Sequence, residues 1–105
     1  MLTKSEQKMV DDIIENFNFK RCHDVMKHLR WTWGFYNFSP SIEDLKKSSI
    51  ERLQSAILGV KGKEVREHYY VSSGGLKASA YKNRYNRVVM LHLEFVLTEW
   101  DSDGD

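Results

Sequence analysis

The first half of the chain places apolar side chains at the three- and four-residue spacing of α-helices. Residues 3–30 contain two such stripes in succession, which predicts a helical pair or, as an alternative, one kinked helix. Thr3 and Glu6 have the spacing of a capping box, so the first helix is predicted from about Lys4 to Phe17. Asn18 can cap the second helix by accepting a hydrogen bond from a free amide of its first turn. The stripes comprise Met9, Val10, Ile13, Ile14 and Phe17, then Cys22, Val25, Met26 and Leu29.

A third helix is predicted over residues 41–58. Ser41 and Asp44 again have capping-box spacing, and Gly59 offers a residue at which a helix ends easily. The residues expected to face the core are Ile42, Leu45, Ser49, Leu53, Ala56 and Ile57.

Residues 67–99 change to the two-residue period of β-strands. One predicted strand places Leu76, Ala78 and Ala80 on one face, and residues 82–86 form a polar turn. In the next strand, Val89, Leu91, Leu93, Phe95 and Leu97 are predicted to face the helices, while Val88, Met90, His92, Glu94 and Val96 face outward. Gly74 and Gly75 favour a bulge within one long strand. A two-residue turn, which would give three strands, is the alternative.

These elements predict a single α+β domain over residues 1–105. Three N-terminal helices pack on one face of a C-terminal antiparallel β-hairpin, or of a three-stranded meander. An acidic tail occupies residues 100–105. The outward face would retain three apolar residues that need to be covered, which predicts a homodimer or higher oligomer. These interface residues are Val88, Met90 and Val96.

Composition narrows the classes of function. Sixteen basic and fifteen acidic residues give a net charge of +1, which argues against electrostatic capture of nucleic acid as the main activity. Cys22 is the only cysteine, so no intrachain disulfide can form and a reducing compartment is expected. No signal-peptide pattern and no membrane-length apolar run is present. We therefore expect a cytoplasmic protein without membrane contact.

The sequence contains no recognisable catalytic or metal-binding motif. Cys22 and the histidines lack paired ligand spacing, and neither a GxSxG elbow nor a phosphate-binding loop occurs. We therefore expect no enzymatic activity, no cofactor and no metal, with Cys22 acting as a small buried apolar residue.

The aromatic loop at residues 31–40 supplies the main candidate for ligand binding. Its rings either fill the core or provide a surface on which bases stack, and Trp33 is the ring expected to be exposed. The Gly pair could offer amides to an anion, and the polar turn is a second cationic and aromatic cluster whose alternative role is purely structural. The candidate ligand-binding residues are Arg30, Trp33, Tyr36, Gly74, Gly75, Lys77, Arg84 and Arg87.

Five short motifs resemble a family of small phage and prophage proteins of about this length. They are FNF at 17–19, WTW at 31–33, PSIEDL at 40–45, SGGLKA at 73–78 and FVLTEW at 95–100. Leu76 departs from the family pattern, which has an aromatic residue there, so ligand contact beside the Gly pair is less favoured. The resemblance supplies no catalytic residues. It implies an accessory protein that acts on host machinery by binding.

The resulting hypothesis is a non-enzymatic, phage-encoded binding protein in the host bacterial cytoplasm. It would counteract a bacterial defence by sequestering a nucleotide signal or by blocking a host protein. The alternative is a nucleic-acid-binding phage accessory protein.

Overall fold

The computed structural model describes residues 2–25, 41–64, 69–73 and 76–95, and of residues 69–73 it describes the backbone. The helices are α1 (Lys4–Asn16), α2 (residues 19–25) and α3 (Ile42–Lys61). The strands are β1 (Tyr69–Ser73), β2 (Leu76–Lys82) and β3 (Val88–Phe95).

Reciprocal hydrogen bonds define the start of α1. Thr3 Oγ1 accepts from the Glu6 amide at 3.1 Å, and Glu6 Oε1 accepts from the Thr3 amide at 2.9 Å, which confirms the predicted capping box. The helix ends where Phe17 becomes extended, with φ −76° and ψ 136°. Asn18 Oδ1 then accepts from the Arg21 amide at 3.0 Å. Separate helices, rather than one kinked helix, therefore form here.

Helix α3 begins as predicted and ends later than predicted. The Ser41 hydroxyl accepts from the Asp44 amide at 3.1 Å, but the helix continues through Gly59 to Lys61, and Gly62 is its cap. The prediction that Gly59 ends the helix is wrong. Val60, which is fully buried, extends the apolar stripe by a further turn, and this burial outweighs the roughly 1 kcal/mol that an internal glycine costs.

The sheet is an antiparallel meander with the strand order β1-β2-β3. Ser73 pairs with Leu76 and Tyr69 pairs with Ala80, so the chain reverses its direction between Ser73 and Leu76. The predicted bulge in one long strand is therefore wrong, and the alternative of a two-residue connection is correct. The conformations of Gly74 and Gly75 themselves lie outside the described residues.

A bulge does occur, but between β2 and β3. Tyr81 pairs with Met90 and Lys82 pairs with Val88, which leaves Val89 as an extra residue in β3. The extra residue shifts the alternation, so Val88 packs against the core whereas Val89 is 59% exposed. The predicted faces of Val88 and Val89 are thus both wrong.

Beyond the bulge, the predicted alternation is correct through Phe95, and Val96 and Leu97 lie outside the described residues. Leu93 is buried, and Leu91 and Phe95 pack against the same core. Leu76, Ala78 and Ala80 of the central strand are buried beneath α3, which packs against all three strands. Helix α1 contacts α3 and β3, and Phe19 and Cys22 of α2 join the core. The fold is α+β, with N-terminal helices packed on a C-terminal antiparallel sheet, as predicted.

Candidate functional site

The residues predicted to bind a ligand do not form one cluster in the described structure. Arg30, Trp33, Tyr36, Gly74 and Gly75 lie outside the described residues, as does the whole aromatic loop at 31–40. Lys77 lies near the start of β2, whereas Arg84 and Arg87 follow its other end. Lys77 and Lys82 are five residues apart along the extended strand, which corresponds to roughly 17 Å, and Arg84 lies in the turn beyond Lys82. Lys77 and Arg84 therefore lie toward opposite ends of β2.

The two described residues of the predicted interface do not lie on the same face of the sheet. Val88 packs against the core, as described above, and Val96 lies outside the described residues. Met90 is 55% exposed. Of the two described residues, only Met90 faces outward as predicted.

The turn between β2 and β3 is held by its own asparagines. Asn83 Oδ1 accepts from the Tyr85 amide at 2.9 Å and from the Arg87 amide at 3.1 Å. Its backbone amide donates to the Arg87 carbonyl at 2.9 Å, and its carbonyl accepts from the Asn86 amide at 3.1 Å. Asn86 has a φ of 63°, a conformation that asparagine adopts more readily than most residues.

Lys82 attaches this turn to the end of α3. Its side chain is buried, with 8% exposure, and its Nζ donates to Asn86 Oδ1 at 2.8 Å and to the Lys63 carbonyl. A buried ammonium group needs such acceptors, because it has lost its hydration. The same lysine therefore holds both the turn and the residue that follows the α3 cap.

The turn and the adjoining start of β3 expose cationic, aromatic and apolar side chains. Arg84 lies over the ring of Tyr85, with 5.5 Å between the guanidinium carbon and the ring centroid. Tyr85 is 71% exposed, Arg87 is exposed, and Val89 and Met90 are more than half exposed. Residues 82–90 include no acidic residue. We call Arg84, Tyr85, Arg87, Val89 and Met90 the tip surface.

Sequence patterns foresaw part of the tip surface. Arg84 and Arg87 were candidate ligand-binding residues, and Tyr85 belonged to the cationic and aromatic cluster of the predicted turn. Val89 was missed, because only the register shift turns it outward. The polar turn signal gives no indication of where a bulge falls in the following strand.

An open groove of about 600 Å³ lies at the other end of the helical layer. We call it the α1–α3 groove. Its apolar lining includes the paired rings of Phe17 and Phe19, whose centroids are 4.8 Å apart. The remaining lining residues are Ile14, Ile42 and Ile50, with Asp11, Glu15, Asn18, Lys20 and Lys46 as its polar members.

Two buried ionisable groups have structural roles. Glu6 Oε2 lies 3.0 Å from Lys61 Nζ. Burial raises the pKa of Glu6, but hydrogen bonds from Thr3 and Lys61 and the Lys61 charge bring it below its usual value. Burial raises the pKa of the Cys22 thiol to about 11, so Cys22 is a neutral, unreactive core residue at physiological pH, in line with its predicted apolar role.

Neither a metal cluster nor a membrane span is found in the part of the chain that the structure describes. No group of three or more His, Cys, Asp or Glu side chains there is placed to hold a metal ion. No described helix has both the length and the apolar character that crossing a membrane requires.

Comparison with known proteins adds no relative. No protein-family model, no curated protein and no solved structure matches this chain.

Proposed function

We propose that this protein is a non-enzymatic, phage-encoded binding protein that blocks a host protein through its tip surface. It acts in the host bacterial cytoplasm and thereby counteracts a bacterial defence. The phage context rests on the five sequence motifs described above. The binding surface rests on one observation, which is that two arginines and a tyrosine of a hydrogen-bonded turn are exposed next to two exposed apolar side chains at the start of β3.

The composition of the tip surface supports a protein as the partner. Tyr, Arg and Met are enriched at protein interfaces, and Tyr and Arg supply many of the residues that dominate binding energy. Val89 and Met90 are 59% and 55% exposed, and apolar side chains of this kind gain from burial in a protein interface.

The shape of the tip supports blocking a host protein over sequestering a nucleotide. Small-molecule sites are concave and bury most of their ligand, whereas Tyr85 projects with 71% exposure. Among the described candidate residues, Lys77 also lies at the other end of β2 from Arg84 and Arg87, which disfavours a single small anion site made of all three.

The hydrogen bonds of the turn favour tight binding. Asn83 forms hydrogen bonds with four backbone groups of its own turn, and Lys82 holds Asn86 by a further hydrogen bond. Association therefore costs less loop ordering than it would for a free loop.

An infection assay tests the proposal. Expression of the chain in bacteria that carry an effective defence should restore phage plating, and Tyr85→Ser should abolish this effect at an unchanged protein level. Leu58→Ser is the matched control, because Leu58 is an exposed apolar residue of α3, at 49% exposure, outside the tip surface. Restored plating with Tyr85→Ser would contradict the tip as the binding surface.

A purified target separates blocking from catalysis. Once the host protein is identified by its loss of activity, titration should inhibit it in proportion to the amount of chain added, with full inhibition near a one-to-one ratio. Inhibition by a small fraction of that amount would indicate turnover and would contradict a stoichiometric inhibitor.

The second candidate function is binding to single-stranded nucleic acid. It is favoured by the contact between Arg84 and Tyr85, since exposed aromatic rings and arginines can stack on bases. If Arg84 and Arg87 each contact one phosphate, a fourfold rise in salt concentration should lower the affinity for the oligonucleotide roughly sevenfold. Oligonucleotide binding with this salt dependence, lost in Tyr85→Ser, would support the second candidate over the first.

A further inference from the structure

Two features without a partner among the described residues lie at opposite ends of α3. The tip surface is attached at the C-terminal end through the Lys82–Lys63 hydrogen bond. The α1–α3 groove is lined by Ile42, Lys46 and Ile50 from the first half of the helix. A helix of 20 residues is about 30 Å long, so the tip of a chain cannot occupy the groove of the same chain.

Contact between two identical tip surfaces is disfavoured by charge. A symmetric interface would bring Arg84 and Arg87 of both copies into one patch that contains no acidic residue of residues 82–90. Like charges that face each other across an interface weaken association. The tip surface is therefore expected to bind a different surface, one that includes acidic residues.

The α1–α3 groove combines an apolar lining with two acidic residues, and it also has two basic ones. Asp11 and Glu15 are exposed and line it from α1, and their i, i+4 spacing places them on one face of the helix. The floor is apolar, and the volume of about 600 Å³ can accept several side chains. The two basic lining residues, Lys20 and Lys46, come from α2 and α3, and Lys46 lies 4.0 Å from Glu43.

We propose that the tip surface of one copy docks into the α1–α3 groove of a second copy. Tyr85 and Met90 enter the apolar part of the groove, while Arg84 and Arg87 face Asp11 and Glu15. The contact joins two different surfaces, so each copy retains a free tip or a free groove, and assembly continues head to tail until it closes into a ring or remains an open chain. This inference stands apart from the proposed function, with which it shares the tip surface.

Sedimentation velocity over a concentration series tests the contact. The mean mass of the unmodified chain should rise above the monomer value of 12.4 kDa as concentration increases. A tip variant, Arg84→Ser with Tyr85→Ser, and a groove variant, Asp11→Lys with Glu15→Lys, should each associate at least about tenfold more weakly. All four side chains are exposed, so unchanged thermal melting is expected to confirm folding.

Mixing the two variants makes the test specific. The groove variant retains an intact tip and the tip variant retains an intact groove, so an equimolar mixture should form a one-to-one dimer that does not grow further. The matched control is Asp12→Lys with Asp24→Lys, which makes the same charge change at exposed acids outside the groove lining. This control should assemble like the unmodified chain.

Three results would overturn the inference. They are a monomer mass for the unmodified chain throughout the series, full association of either variant alone, and the absence of a dimer in the mixture. Failure of the proposed function is a separate result, because the groove variant should lose self-association yet keep its tip and restore phage plating. If the groove variant assembles normally while Tyr85→Ser still abolishes plating, only the head-to-tail contact is refuted.

Discussion

Ser49 places a hydroxyl inside the apolar stripe of α3. Its side chain is fully buried, and its Oγ has no hydrogen-bond partner within the described ranges. A buried polar group without a partner costs about 1–3 kcal/mol. The residue therefore lowers the stability of the helix that organises the core.

Replacement of this hydroxyl should stabilise the protein. We expect Ser49→Ala to raise the free energy of unfolding by about 0.5–1.5 kcal/mol more than Ser48→Ala does. Ser48 is the adjacent, partly exposed serine of the same helix, so it reports the change in helix propensity alone. Urea unfolding of both variants gives the comparison, and equal effects would show that the buried hydroxyl is satisfied.

Residue-level predictions from sequence succeeded where donor and acceptor are close along the chain. Thr3 with Glu6, Ser41 with Asp44 and Asn18 with Arg21 form the expected caps, because each pair spans three residues and depends on local geometry. The second bond of Glu6 was not foreseen. It reaches Lys61, 55 residues away, and only the packing of α1 against α3 brings the two together.

At the scale of elements, the β3 bulge decides which valine supports the core. Val88→Ala should lower the free energy of unfolding by about 1–2 kcal/mol, because Val88 packs against the core. Val89→Ala should change it by less than about 0.5 kcal/mol, because Val89 is largely exposed. Chemical denaturation of the two variants checks the strand register. A larger loss of stability in Val89→Ala than in Val88→Ala would instead support the alternation without a bulge.

The attachment of the turn through Lys82 can be tested in the same way. Lys82→Met keeps most of the aliphatic chain but removes the bonds to Asn86 and to the Lys63 carbonyl. We expect a loss of about 1–3 kcal/mol of stability and faster amide hydrogen exchange at Arg87, whose carbonyl and amide close the turn. Lys63→Met is the control because it leaves the accepting carbonyl in place. Unchanged exchange in Lys82→Met would mean that Asn83 alone holds the turn.

Element types followed from periodicity, but two boundaries did not. The three helices and the strand character of residues 76–82 and 88–95 follow from the apolar spacing. The end of α3 depended on whether the burial of Val60 outweighs the cost of Gly59. The reversal between β1 and β2 depended on strand pairing, and sequence spacing decides neither. At the candidate site, Arg84 and Arg87 were selected from the sequence, whereas the exposure of Val89 required the pairing of β2 with β3.

At the scale of the whole molecule, the Glu6–Lys61 ion pair makes stability depend on pH. The pKa of Glu6 is lower in the folded chain than its ordinary value of 4.5. The contribution of this carboxylate is therefore fully present above pH 4.5 and is lost as the pH falls through the folded-state pKa.

A pH series with Glu6→Gln tests this linkage. Glutamine can retain the capping interaction but cannot ionise, so the variant should be less stable by about 1–3 kcal/mol at neutral pH. The difference from the unmodified chain should shrink as the pH falls below 4.5. Glu15→Gln, at an exposed position of α1, is the control. A stability difference that stays constant down to about pH 3 would rule out the linkage.

The same ion pair also has a consequence for folding kinetics. The sheet is assembled from successive hairpins, which form through contacts between residues close in sequence, whereas the Glu6–Lys61 contact closes a segment of 55 residues. Closing so long a segment carries a larger entropic cost than closing a hairpin, so this contact is expected to form after the rate-limiting step. Its removal should then accelerate unfolding and leave the refolding rate nearly unchanged. The N-terminal helix would thus set how long a folded molecule persists without setting how quickly it forms.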